Sequence, residues 1–274
     1  MLGTFRNWVT IIERTLLAEG TDPRVVRDAL SSSHGGDRVV ATEATAIWEA
    51  VDELSQDPVF GLSMLRHIDY ADLEELGIAM LAPGPPEMLL RRIVSYHRLI
   101  SDSVSLELLP AGEIAELTIT PRPGTHWRSS EFAAGLVVRA LRARFGRRRS
   151  PAGVVLGFAN PAGAEAYRAY FRCPVTTDGH ATSLAFRRAA LVDQDVTPAG
   201  RELSARIDEL LDARASRLID RASAREATRT VLLSSMAGGA PTLRATARSL
   251  HQSERTLQRR SARENELGWA KPRR

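Results

Sequence analysis

Arg255, Gln258 and Arg259 are the residues whose types and spacing best suit a chemical task. Residues three and four apart share one face of a helix, so a helix through 255–259 presents all three side chains together. Arginine forks onto guanine and glutamine offers a donor and an acceptor to adenine, which makes base edges in DNA the natural target. The element that would carry them starts after Ser253, whose hydroxyl can cap it, and Leu257 is left to face inward. Ahead of it, Pro241 suits a first helical turn, and Leu243, Ala247 and Leu250 fall at i, i+4 and i+7 on one apolar face. His251 and Gln252 fill the turn between the two. The spacing therefore predicts a helix-turn-helix over Pro241–Arg260. A surface helical hairpin with solvated arginines has the same spacing, so charge has to weigh between them. From Ala222 to Arg274 there are 11 Lys+Arg against 4 Asp+Glu, a local +7, while the whole chain carries +4. Residues 1–221 therefore sum to −3, and the basic character sits beside the reading helix, as expected of a surface that meets phosphate.

The run Thr242–Arg260, TLRATARSLHQSERTLQRR, resembles the first helix-turn-helix of AraC-family transcriptional regulators. The upstream chain resembles the subgroup with an arabinose-binding type of N-terminal regulatory domain. That likeness rests on Asp57-Pro58-Val59-Phe60-Gly61-Leu62, on Arg91-Arg92-Ile93-Val94-Ser95-Tyr96, on Ala166 through Val175, and on Leu184-Ala185-Phe186 leading to Leu191. Together with the helix-turn-helix these motifs span roughly residues 15 to 260. The resemblance implies a regulator whose N-terminal half senses a small molecule and whose C-terminal half binds DNA through Arg255, Gln258 and Arg259. It implies domains at 1–196 and 222–274, joined by a helical linker at 197–221. The family pattern continues with a linker helix and a second helix-turn-helix, whereas this sequence ends at Arg274. The expectation is a partial DNA-binding domain, truncated after its first motif, loosely packed from about residue 240 and weak in DNA binding. The competing expectation is a ligand-sensing or interaction protein whose DNA-binding part is a non-functional remnant.

The elements that must position these groups follow from periodicity. Helical spacing covers Phe5–Leu17, Arg38–Leu54 and Glu87–Ile100, the last following the rigid Ala82-Pro83-Gly84-Pro85-Pro86 break. The period then changes: Val104–Leu109 and Ile114–Thr120 read as a hairpin, Val154–Phe158 as a strand, and Cys173–Phe186 as two more strands, with helices over Glu131–Phe145 and Ala164–Phe171. The predicted fold class is α+β, a helical domain with a small antiparallel sheet confined to about 104–186, then only helices after Thr197. Thr197–Leu218 carries Leu203, Ile207, Leu210, Leu211 and Leu218 as an apolar stripe, open to packing on the N-terminal domain or to pairing in a homodimer.

Other chemistries lack their motifs. There is no Gly-x-Ser-x-Gly elbow, phosphate-cradling glycine loop or His-Glu-x-x-His, so neither an enzyme nor a metal or other cofactor is expected. Cys173 is the one cysteine, which excludes an internal disulfide and suits a reducing cytoplasm. No apolar run is long enough for a membrane span. The six histidines are scattered. Trp48, Tyr96, His97 and Trp127 are candidates to line an effector pocket because aromatic and polar groups commonly do so, with core or surface packing as the alternative for each. The basic run Arg142, Arg144, Arg147, Arg148 and Arg149 reads as a solvated helix end, with a second contact to DNA or to an anionic ligand as the alternative.

Overall fold

A computed structural model of the chain describes residues 4–5, 7–24, 26, 28, 38–39, 41–177, 179–192 and 196–216. The chain divides between Ala215 and Ser216 into two units, and every element described here belongs to the first. Arg255, Gln258 and Arg259, and with them the whole expected helix-turn-helix, lie outside the described residues.

The N-terminal half is helical where the apolar period is 3.6. Helix α1 (Asn7–Ala18) buries Trp8, Ile11, Ile12 and Leu16, and α2 (Ala41–Leu54) buries Ile47, Trp48 and Val51. The short α3 (Phe60–Ser63) buries Phe60, Gly61 and Leu62, and α4 spans Glu74–Leu81. Helix α5 (Pro86–Tyr96) starts on Pro86, whose missing N–H has no partner to lose there, and buries Leu89, Leu90, Ile93 and Tyr96. A two-stranded ribbon of β1 (Thr4–Phe5) and β2 (Arg38–Val39) stands among these helices. This corrects the expectation that all sheet lies between 104 and 186, and it explains why α2 begins at Ala41 rather than Arg38. A two-residue strand leaves no alternation long enough to read.

Strands β3 (Val104–Ala111) and β4 (Ile114–Pro121) form the predicted hairpin. They join β5 (Gly153–Val155), β6 (Val175–Thr176) and β7 (Thr182–Arg187) in one sheet of order β3-β4-β7-β5-β6. Alternation sets the buried face: Ala115, Leu117 and Ile119 of β4 lie opposite Phe186, Leu184 and Thr182 of β7, and Val154 of β5 pairs with Leu184. The sheet is mixed rather than antiparallel, because β5 and β6 run parallel. The connection between them contains α7 (Ala164–Phe171), and a helical crossover returns the chain to the same end of the sheet. Helix α6 (Arg128–Phe145) packs against β4 and β7 and touches α3 and α5, so it is the central pillar.

Residues 198–215 form the last helix of the unit, α8. Its expected stripe divides. Leu211 is fully buried and Ile207 half-buried, but Leu203 and Leu210 are 53% and 59% exposed. Polar side chains do much of the docking: the Arg92 guanidinium donates to both Asp208 carboxylate oxygens at 2.7 and 2.9 Å and to Ser204 Oγ. Tyr96 Oη donates to Asp212 at 2.8 Å, and Arg214 pairs with Glu75 of α4 at 2.8 Å.

Candidate ligand-binding cavity

Between α1, α5, α6 and the hairpin lies a cavity of about 80 Å³. Its wall is built from one face of each element: Trp8 and Ile11 of α1, Ile93 of α5, Leu106 of β3, and Phe132, Ala133, Leu136 and Val137 of α6. Phe132, Ala133, Leu136 and Val137 share a face because they stand three and four residues apart.

Polar groups gather at defined points on this apolar wall. Thr4, Ser101 and Ser103 form a triangle of hydroxyls, with Oγ–Oγ distances of 2.9, 3.0 and 3.1 Å. Hydroxyls both donate and accept, so the triangle can turn one O–H or one lone pair to a ligand without leaving its neighbours unpaired. Ser129 lines the cavity too, and its Oγ accepts from Trp48 Nε1 at 3.0 Å. His97 follows α5 directly, its Nδ1 2.8 Å from the Val94 carbonyl, which fixes Nδ1 as the protonated nitrogen. Nε2 is buried and makes no hydrogen bond of good geometry. Burial lowers the His97 pKa, and Arg98 and Arg122 add to this against the Val94 and Val104 backbone.

The one carboxylate on the wall is already neutralised. Asp72 accepts a two-pronged pair from Arg14 at 2.8 and 3.1 Å. Burial raises its pKa, but the Arg14 and Asp69 hydrogen bonds outweigh that and hold it low. Among the described residues the cavity therefore offers apolar contact, a few hydrogen-bonding groups and no unpaired carboxylate or guanidinium, which suits a small, uncharged, mostly apolar molecule. Metabolite sites usually measure about 300–1,000 Å³, so a larger effector requires the walls to part.

Of the four aromatic or polar candidates from the sequence, His97 alone reaches the cavity. Trp48 is 1% exposed and stands one hydrogen bond behind the wall, edge-on to Trp8 at 5.1 Å. Tyr96 is committed to Asp212, and Trp127 packs on Phe158 at 4.8 Å beneath the Arg128 guanidinium. The hydroxyl triangle was not foreseen, because its three members come from β1 and the loop before β3. Only the Ser101-Asp102-Ser103 run ahead of the hairpin hinted at it. Among the described residues no group of three His, Cys, Asp or Glu could hold a metal ion, and no helix is long and apolar enough to cross a membrane.

Two of the motifs that carried the family likeness, Asp57–Leu62 and Ala166–Val175, meet in a second cluster, beside α6. Glu131, 1% exposed, accepts from the Gly61 backbone N–H at 2.8 Å and from Tyr167 Oη at 2.6 Å. Asn160 Nδ2 donates to Tyr167 Oη and to the Pro58 carbonyl. A Cβ on Gly61 would stand 2.4 Å from Glu131 Oε2, so this close approach requires glycine. Burial pushes the Glu131 carboxyl up to about 7, against the Tyr167, Arg128 and Gly61 contacts. The cluster ties α3, α6 and α7 together and is structural.

The domain is thus α+β, with helices gathered around a mixed sheet and an apolar cavity beside α6. A family model described as the arabinose-binding domain of AraC transcription regulator, N-terminal, matches residues 24–194. The chain belongs to that family, as a regulator-type ligand-sensing domain. Among solved structures it is similar to the crystal structure of transcriptional regulator CdpR from Pseudomonas aeruginosa, at 21% identity and a TM-score of 0.48, covering 88% of this chain and 78% of that one. No curated protein matches the chain.

Proposed function

We propose that the chain is a DNA-binding transcriptional regulator whose N-terminal domain binds a small, uncharged, largely apolar effector carrying one hydrogen-bonding group. The site is the cavity between α1, α5, α6 and the hairpin. The observation that carries this reading is the position of α5. Ile93 and the succeeding His97 line the cavity, while Arg92 and Tyr96 of the same helix hold Asp208 and Asp212 of α8. A ligand that displaces Ile93 or His97 therefore bears on the helix that leads toward the C-terminal segment. By linkage, an effector that prefers one position of α5 shifts DNA affinity by the difference in its affinity for the two positions. In the C-terminal segment Arg255, Gln258 and Arg259 contact base edges, as the family resemblance implies.

The test begins with a thermal-shift screen of small hydroxylated apolar compounds on the full chain. DNA recovered by the chain from a random-sequence pool is then titrated with and without each stabilising compound. The expected result is a compound that raises Tm and also changes DNA affinity. Stabilisation with DNA affinity unchanged would favour the second reading, a sensing protein whose DNA-binding part is inactive.

A further inference from the structure

The segment 139–172 contains eight arginines and one acidic residue, Glu165. Its net +7 exceeds the +4 of the entire chain. The fold brings four of these eight arginines, and Arg66 from outside the segment, to one place. Arg139 and Arg142 of α6, Arg147 in the turn after it, Arg172 at the end of α7, and Arg66 in the turn after α3 line one surface cleft of about 810 Å³. Among the described residues no carboxylate lines it. Among the described residues none of these five arginines forms an ion pair.

The guanidinium groups are fixed by neutral partners instead. Arg142 donates to the Tyr170 and Phe171 carbonyls at 2.7 and 3.1 Å and closes the C-terminus of α7. Arg139 donates to the Ile68 carbonyl and sits over the Tyr70 ring, and Arg172 donates to the Arg147 carbonyl at 2.9 Å. Carbonyls orient a guanidinium without cancelling its charge, so like charges are held close together on a rigid frame. Burial, with Arg172 nearby, lowers the Arg142 pKa against the neighbouring Tyr170, as expected where positive charge lacks a counterion. Arg66 and Arg147 stand exposed, and neither side chain hydrogen-bonds to another of the described residues. The floor between the arginines is apolar, from Leu62, Leu65, Ala143, Ala166 and Ala169.

We propose that this cleft is a second ligand site, distinct from the apolar cavity, that binds a phosphate-bearing small molecule of nucleotide size. Arginine forks match phosphate oxygens two at a time, and such charge-assisted pairs are about twice as strong as neutral ones. The volume falls in the range of small-molecule sites, about 300–1,000 Å³. The apolar floor suits the organic body of the ligand. A concave cleft whose inner arginines are locked to backbone carbonyls fits a compact anion better than the convex backbone of duplex DNA.

Calorimetric titration of the full chain at physiological salt, with AMP and with inorganic pyrophosphate as probes and adenosine as the uncharged control, tests this. The variant Arg66→Gln/Arg147→Gln removes two exposed rim charges, and Arg187→Gln/Arg201→Gln removes two exposed charges elsewhere. The expected result is saturable binding of at least one charged probe and none of adenosine. Affinity should fall at least about tenfold in the rim variant and stay within about twofold in the control, since charge-assisted contacts act at short range. The proposal is overturned if neither probe saturates, if adenosine binds as well as AMP, or if the two variants behave alike. It is equally overturned if the rim variant loses affinity for duplex DNA while its affinity for the probes is unchanged.

Discussion

At the scale of single residues, two buried charges carry consequences that can be measured. Arg92 is 4% exposed and donates to the Asp208 carboxylate, to the Pro83 carbonyl and to Ser204. Arg92→Ala leaves those acceptors facing an apolar gap, and urea unfolding should show a loss of about 2–3 kcal/mol, tempered because Asp208 retains access to water. Glu131 behaves differently. Its folded pKa of about 7 lies above the ordinary carboxyl value of 4.5, so the folded protein holds the proton more tightly than the unfolded chain does. Well below pH 4.5 both states are protonated and the group is neutral to stability. As pH rises through the interval up to 7, it increasingly destabilises the fold, and the deficit is complete above that. Glu131→Gln should therefore gain stability relative to the parent by order 1–3 kcal/mol between pH 5 and 8, on top of a pH-independent offset from altered hydrogen bonding. The readout is the difference between the two Tm-against-pH curves, because His97 and His126, with lowered pKa values, add the opposite slope to both. Parallel curves would remove Glu131 as the source.

At the scale of elements, α6 sets the architecture by letting neighbours approach closely. A Cβ at Gly61 meets the Glu131 carboxylate at 2.4 Å, whereas one at Gly135 meets the ends of Leu62 and Leu65 at 2.5 Å. Leucine methyls can rotate away, whereas the Glu131 carboxyl is pinned by Tyr167 Oη and the Gly61 N–H. Gly61→Ala should thus cost about 1–3 kcal/mol by denaturant unfolding, and Gly135→Ala distinctly less. These elements were mostly legible in the sequence. The Pro86 start of α5, the hairpin around Gly112 and Glu113, and α7 at Ala164–Phe171 follow from local signals that act over a few residues. What was not legible depends on distant partners. The parallel β5–β6 pair requires knowing where α7 returns the chain, and the β1–β2 ribbon joins residues 4–5 to 38–39. The stripe expected over Thr197–Leu218 was visible as five aliphatic residues, of which Leu218 lies outside the described residues, but Leu203 and Leu210 turn outward because Arg92 and Tyr96 claim the neighbouring face through Asp208 and Asp212. Arg92 itself stands among Leu89, Ile93 and Tyr96 on the apolar face of α5, and an arginine there is a sign of a buried acceptor.

At the scale of the whole molecule, sensing and DNA recognition are assigned to opposite ends of one chain. If Arg259 reads a base edge, Arg259→Ala should weaken binding to a selected sequence by about 1–3 kcal/mol and weaken binding to scrambled DNA less, measured side by side at one salt concentration. Equal losses on both sequences would make its contact a phosphate contact. The sensing end was legible only as a domain, since the cavity draws its wall from β1, α1, α4, α5, β3 and α6, and only His97 among the expected residues reaches it. The central claim is that this cavity receives the effector, and filling it is the most direct test. Ala133 lies on the wall, and Ala133→Phe places a ring in a space of about 80 Å³. Phenol and cyclohexanol, each a small apolar ring with one hydroxyl, are titrated against the parent and the variant by thermal shift. Ligands that bind the folded state alone stabilise it by RT ln(1 + [L]/Kd), so Tm climbs steadily with ligand concentration. The account predicts such a concentration-dependent rise in the parent and none in Ala133→Phe, whose own Tm stays within a few degrees of the parent. No rise in the parent, or an equal rise in both proteins, would contradict it.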